Sequence, residues 1–242
     1  MASVTDRTDA RPAPNARPGP DAEEGIEDLA VRPPRQERTR HQWARVLDCG
    51  IEILEQGGYE AFTIAAVCER AQVPPRALYA RVSSKDGLYL AVYDHGMTRV
   101  TADHAAFADD SRWSGLAPEA TIRQAVTLVL EVFARHAALL RSVVLLSSAH
   151  PEVLRRGSEH AQQLRALFVR RCAPAVGDHH PSRSAAAETA FNTVFAVGVF
   201  DVAYGRSFLG SADDQERLAT DLASMQTAYL TGGTVREACV TQ

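Results

Sequence analysis

The sequence predicts an all-α protein, with an N-terminal three-helix head and a larger helical body. Three observations carry that reading. Residues 63–85, TIAAVCERAQVPPRALYARVSSK, read as two short helices parted by a sharp break, then a second break and another helix. From residue 118 onward the apolar spacing gives four or five further helices and no run that reads as a strand. Within that region, residues 184–209 are apolar on nearly every side, as in a helix covered all round.

The head opens with an amphipathic helix. Between residues 40 and 56, Trp43, Val46, Leu47, Gly50, Ile51 and Leu54 form one apolar stripe, and Gly57-Gly58 is expected to stop it. Thr63 is a good N-cap for the second helix. Val67, Cys68 and Ala71 fall on that helix's inner face, Glu69 and Arg70 on its outer face. The small side chains of Cys68 and Ala71 let another helix cross at close range. Gln72-Val73-Pro74 forms the break, and Pro75 suits the first position of a new helix, where its fixed φ matches and its missing N–H costs nothing. Leu78 and Val82 point back to the core, which Tyr59 and Phe62 complete. That leaves Arg76, Ala77, Tyr79, Ala80 and Arg81 on or near the outward side. The arrangement is a helix-turn-helix, whose second helix is of the kind that enters a DNA major groove. Ser83-Ser84 then caps a long helix from residue 86 to about 106.

The order of these parts resembles the DNA-binding domain of the TetR (tetracycline-repressor-like) family. A first helix ends in Gly-Gly, followed by Thr63, the pair Val67-Cys68, Ala71-x-Val73, Leu78-Tyr79, Val82 and Lys85-x-x-Leu88. The pattern covers about a fifth to a quarter of the chain, and several parts in order are harder to meet by chance than one motif. The sequence departs from it at Gln72, where the family usually has Gly, and at Pro74, where a capping Ser is usual. It departs again at Arg81 in place of His and Val82 in place of Phe. The resemblance implies that the Tyr79 hydroxyl meets a phosphate. Thr63 and Lys85, near helix N-termini, suit phosphates through N–H groups and charge. Pro75, Arg76, Ala77 and Ala80 would face the groove, Arg76 reading a guanine through two hydrogen bonds and Arg81 serving either role. The residue-level alternative keeps Tyr79 as an ordinary core aromatic.

The resemblance extends to the body. It implies that the long fourth helix links head to body, and that the last two long helices pair with a second copy as a four-helix interface. A helix as apolar as 184–209 needs cover on all sides, and two copies packing together provide it; the alternative is the central helix of a monomer. Ala187, Ala190, Val194 and Val197, with Leu222, Met225 and Tyr229, are the expected interface. Between the other helices a ligand cavity is expected, as bundles commonly form. Its candidate lining is Phe107, Trp113, Phe133, Arg141, Leu145, Phe168, Asn192 and Phe195, suiting a mostly apolar effector held by one or two polar groups. The domain boundaries read as 1–37 for a disordered extension, 38–85 for the head, 86–233 for the body and 234–242 for a tail.

Composition fits this organisation. Among 242 residues, 45% are hydrophobic and 23% charged, ordinary for a globular chain. The net charge of −4 argues against nonspecific coating of nucleic acid, but not against a local basic face, here Arg76, Arg81 and Lys85, the protein's only lysine. Asp48, Glu52, Glu55 and Glu60 gather on the first helix. Cys49, Cys68, Cys172 and Cys239 lack the paired spacing of a metal site or disulfide framework, which suits a reduced, cytoplasmic protein. No signal peptide is evident, and the apolar runs at 126–132 and 143–146 are too short to span a bilayer. Residues 1–37 are rich in Pro, Ala, Asp and Arg with little apolar periodicity, so disorder is expected. Arg32, Arg35, Arg38 and Arg40 would suit a basic arm in an adjacent minor groove.

For catalysis the chain offers no nucleophile elbow, phosphate-cradling glycine loop, zinc pattern or carboxylate pair, so neither an enzyme nor a cofactor is expected. His179-His180 beside Asp178 reads as an exposed loop pair rather than a metal site. His136 and His150 are placed near the cavity mouth or as helix-end caps. The sequence thus reads as a transcriptional regulator, most simply a repressor, binding a double-stranded operator as a homodimer. Two rivals stand beside it: a helical ligand-binding or scaffold protein whose head docks a protein partner, and a small all-helical enzyme.

Overall fold

The computed structural model describes residues 37–209 and 215–232, and all its regular elements there are helical. The expected disordered extension up to residue 36, Arg32 and Arg35 of the basic arm, and the tail with Cys239 lie outside the described residues.

Helix α1 (Glu37–Ala61) carries the apolar stripe, with Val46, Ile51 and Leu54 buried. It does not end at Gly57-Gly58. Gly58 adopts φ 65° and ψ −165°, a conformation open to glycine, and the helix kinks there and resumes to Ala61. Thr63 caps α2 (Ile64–Ala71), its Oγ1 accepting from the Ala66 N–H at 3.0 Å. Gln72 closes α2 in the left-handed region at φ 53°, its N–H directed at the Cys68 and Glu69 carbonyls. Pro74 provides no side-chain cap for α3 (Pro75–Tyr79), and Pro75 takes the first helical position. Ser84 caps α4 (Lys85–Ala102) by accepting from the Gly87 N–H at 3.0 Å.

Helix α4 is shorter than its apolar pattern suggested. It stops at Ala102 and the chain resumes as one turn, α5 (Ala105–Ala108). At the break, Asp103 meets Arg135 at 2.7 Å and His136 at 2.9 Å, at the C-terminal end of α6 (Pro118–Arg135). There follow α7 (Ala137–Ser147), α8 (Pro151–Cys172), α9 (Arg183–Tyr204) and α10 (Gln215–Thr231). Gly205, at φ 77°, ends α9, so the helix stops at Tyr204, short of the 184–209 span that the sequence suggested.

Two glycines draw head and body together. A Cβ on Gly50 would lie 2.5 Å from Val92 Cγ2, and one on Gly96 would lie 2.6 Å from Leu139 Cδ2. Their bare backbones bring α1 against α4 and α4 against α7. Among the described residues α9 is the one helix long and apolar enough to cross a membrane by length and composition. Here it packs against α6, α7, α8 and α10 at the centre of the body.

Candidate nucleic-acid interface and body cavity

Helix α3 stands at the surface. Leu78 is fully buried beneath it, while Arg76 and Ala80 are exposed and Tyr79 is 56% exposed. The core alternative for Tyr79 therefore fails: Leu78 fills the head, and the tyrosine one residue later turns to solvent. Pro75 and Thr63 are also exposed, and Ala77 and Arg81 half-buried. Lys85 is placed less simply. Its Nζ donates to the Tyr59 carbonyl at 3.1 Å and sits 3.8 Å over the Tyr59 ring, so part of its charge is directed into the head. The backbone beneath is fixed by Arg45, which donates to the Ala71 carbonyl at 2.7 Å and so holds the last turn of α2.

Two of the acidic residues on α1 are engaged by bases. Asp48 is engaged by His95 at 2.9 Å and by Arg99, both from α4. Glu52 lies 3.5 Å from Arg70. Two of the four carboxylates that gather on the first helix, Asp48 and Glu52, are thus matched by neighbouring bases.

In the body, the eight candidate cavity residues separate into five groups. Phe133 and Phe195 line a cavity of about 270 Å³ between α4, α6, α7, α8 and α9. Phe107 and Trp113 do not reach it: they stack on each other at 5.6 Å, with Arg171 over the indole and donating to the Phe107 carbonyl at 2.7 Å. This is a plug between α5 and α8, not a binding wall. Phe168 is fully buried against Phe191. Arg141 and Leu145 line an open groove beside the Gly58 kink, and Asn192 faces solvent on α9. The sequence assignment took aromatics for cavity residues, whereas three of the five, Phe107, Trp113 and Phe168, fill the helix–helix seams.

The wall it missed is aliphatic, with polar groups from unexpected positions. Tyr93, Met97 and His104 come from α4 and its end, Leu140, Val143 and Ser147 from α7, Val153, Leu164 and His160 from α8. Burial lowers the pKa of His104 and His160 and keeps both rings neutral. The Tyr93 hydroxyl is raised, first by burial, and stays protonated. His150 and His136 occupy other places: His150 lies between Tyr89 and Asp86, and His136 on Asp103. Neither caps through its side chain. Helix α7 touches the cavity on one face and α1 on another, where the Ser142 hydroxyl donates to the Leu54 carbonyl at 3.0 Å.

The expected interface residues also separate. Ala187, Ala190 and Val194 are at 0% exposure and Leu222 at 5% within a single chain, so they present no surface to a partner. Val197 is half-buried, and Met225 and Tyr229 are exposed. The outward stripe of α9 is instead Thr189, Thr193 and Ala196. His179 and His180 both direct Nε2 to the Tyr229 carbonyl, at 3.1 and 2.8 Å, at the end of α10. Cys49, Cys68 and Cys172 are buried free thiols, and burial raises the pKa of each, opposite to what a reactive thiolate needs.

This geometry recurs in known proteins. A family model described as bacterial regulatory proteins, tetR family, matches residues 46–92, which run from α1 through α3 into α4. The HTH-type transcriptional repressor KstR of Mycolicibacterium smegmatis is 35% identical over 82 residues, 33% of this chain and 40% of that protein's length. A crystal structure of a tetR-family regulator from Mesorhizobium loti superposes with a TM-score of 0.63 at 13% identity, covering 81% of this chain and 98% of that one. A TetR-like regulator from Rhodococcus sp. RHA1 covers 84% of this chain and 100% of its own, with a TM-score of 0.54 at 19% identity. The run from α1 through α2 and the exposed α3 into α4 is therefore similar to the tetR family of bacterial regulatory proteins, and the described helices share the fold of TetR-like regulators.

Proposed function

We propose that the chain is a transcriptional repressor that binds a near-palindromic operator as a homodimer and leaves it when a small, mostly apolar effector enters the body. The observation that supports this most is α3 itself, a short helix standing clear of the core with Arg76, Tyr79 and Ala80 turned outward. Arg76 and Ala77 would meet base edges, with Pro75 and Ala80 allowing close approach. Tyr79, Thr63, Arg81 and the N–H groups of Lys85 not engaged with Tyr59 would hold phosphates and set the register. The head, residues 38–85, is then the DNA-reading unit, and residues 86–233 the unit that binds effector and partner.

A dimer would set two α3 helices in successive major grooves, about 34–36 Å apart. The four-helix contact would use the outward face of α9, with Val197, and Met225 and Tyr229 of α10. Helix α7 offers the link between sites, since it borders the cavity and bonds to α1. An effector that favours one setting of α7 would shift the population away from the DNA-competent spacing, by no more than its difference in affinity for the two settings.

Fluorescence anisotropy with the DNA flanking the chain's own gene tests the reading. Arg76→Ala is expected to cost about 1–3 kcal/mol and relax base choice at one position. Lys85→Ala is expected to weaken all sequences alike and flatten the salt slope by about one unit or less, given its partial engagement with Tyr59. Unchanged binding in both variants would remove α3 and the start of α4 as the DNA-reading surface.

A further inference from the structure

The body cavity contains a fixed polar feature that its apolar lining does not explain. Tyr93 is 1% exposed, yet its hydroxyl has no hydrogen-bond partner among the described residues. Beside it, from α8, the Nδ1 of His160 is also buried and unpartnered, and the two ring centroids are 6.1 Å apart. Gly157, which lines the same cavity, comes close to the hydroxyl: a Cβ there would stand 4.0 Å from the Tyr93 oxygen. Buried polar groups are ordinarily paired, so two orphans on residues that line one apolar space point to an absent partner.

The charges nearby define what that occupant carries. Among the described residues, no Lys, Arg, Asp or Glu lines the cavity. The ionised groups nearest Tyr93 are tied to one another on the solvent side, Arg156 to Asp94 and Glu152, and Arg155 to Glu152 and Glu159. A carboxylate or ammonium placed beside Tyr93 would be buried without a counter-ion, at high cost. Burial keeps His160 neutral, so the ring supplies no cation either. The volume, about 270 Å³, holds roughly nine non-hydrogen atoms if each takes the ~30 Å³ share of a liquid water.

We infer that the cavity selects a compact, uncharged, largely hydrocarbon molecule with one carbonyl or hydroxyl oxygen, and that Tyr93 and His160 receive that oxygen. The Tyr93 O–H donates to it. His160 Nδ1 donates to a carbonyl in one tautomer and accepts from a hydroxyl in the other. This deepens the effector part of the proposed function and rests on the cavity being its binding site.

Three probes of equal size isolate the oxygen and its charge: acetophenone, cumene, in which a methyl group replaces the carbonyl oxygen, and benzoate. Calorimetric titration of the full chain at pH 8, without DNA, is expected to show acetophenone bound. Tyr93→Phe should weaken it at least about fivefold and leave cumene unchanged or tighter. Benzoate should bind at least about tenfold more weakly than acetophenone, for want of a counter-ion. Because the hydroxyl lacks a partner among the described residues, Tyr93→Phe should not lower the melting temperature of the ligand-free chain, which separates loss of recognition from loss of fold. The inference is overturned if acetophenone does not bind at millimolar concentration, if Tyr93→Phe affects acetophenone and cumene alike, or if benzoate binds as tightly. Operator binding plays no part in this titration, so a chain that takes acetophenone but no DNA would refute the regulatory reading and leave this one standing.

Discussion

Gln72 and Glu152 show how single side chains in this protein respond to local demand. The turn after α2 needs a left-handed residue, a conformation that costs a non-glycine residue on the order of 1 kcal/mol. Gln72 takes it at φ 53°, and its N–H and that of Val73 recover the Cys68 and Glu69 carbonyls in return. Glu152, in the first turn of α8, accepts from Arg155 at 2.7 and 2.8 Å and from Arg156 at 2.7 Å, and those bonds lower its carboxyl pKa to about 2. A carboxylate depressed in the folded state binds fewer protons there than when unfolded. Its stabilisation is therefore complete above the ordinary value near 4.5 and is lost as pH falls towards 2. Glu152→Gln is expected to lower the urea midpoint at pH 7 by an amount equivalent to about 0.5–1 kcal/mol, the surface ion-pair range. The gap from the parent should narrow between pH 5 and pH 3. A gap that stays constant over that interval would assign the loss to packing instead.

At the scale of the element, α7 is the piece that belongs to both halves. Its apolar residues Leu140 and Val143 border the cavity, Leu139 presses on bare Gly96 of α4, and Ser142 bonds to Leu54 of α1. The hydroxyl is buried, so Ser142→Ala should cost about 1 kcal/mol of stability in thermal melts. It should also reduce the change in operator affinity that an effector produces, while effector affinity measured by calorimetry stays the same. Equal coupling in parent and variant would place the link elsewhere. Gly198 serves the α6–α9 seam on another side of the cavity: a Cβ there would lie 2.4 Å from Phe133 Cδ2, so the glycine lets that ring lie against α9 and form the cavity wall.

At the scale of the whole molecule, the proposed dimer would rest on the outward faces of α9 and α10. Met225 is 60% exposed and Tyr229 40%, and the neighbouring stripe of α9 is made of small residues that allow close helix approach. A charge at an exposed site leaves the single chain folded but disrupts a packed interface. The pair Met225→Glu with Ala196→Glu should therefore convert a dimer into a 26.3 kDa species in light scattering. Operator affinity should fall at least about a hundredfold, since two half-sites would no longer be bound as one. A monomeric parent, or a variant that remains dimeric, would move the interface off these helices.

What the sequence by itself determined was local. The caps at Thr63 and Ser84, Pro75 at a helix start, the outward place of Tyr79 beside buried Leu78 and the apolar periods of the long helices all arise from interactions within a few residues, which the chain writes in order. Gly58 was legible as a break but not as a kink, because whether a helix resumes beyond a glycine depends on what the next turn packs against. The tertiary structure alone decided which side of an apolar helix faces which neighbour. The stripe Ala187, Ala190, Val194 reads as an interface and is core, since the most apolar face turns to its own chain first and leaves the small, more polar face outward. Tyr93 and His160 are 67 positions apart and carry no motif. Only the crossing of α4 and α8 brings them to one cavity, and only burial there turns an ordinary tyrosine and histidine into two unpaired polar groups in search of an oxygen.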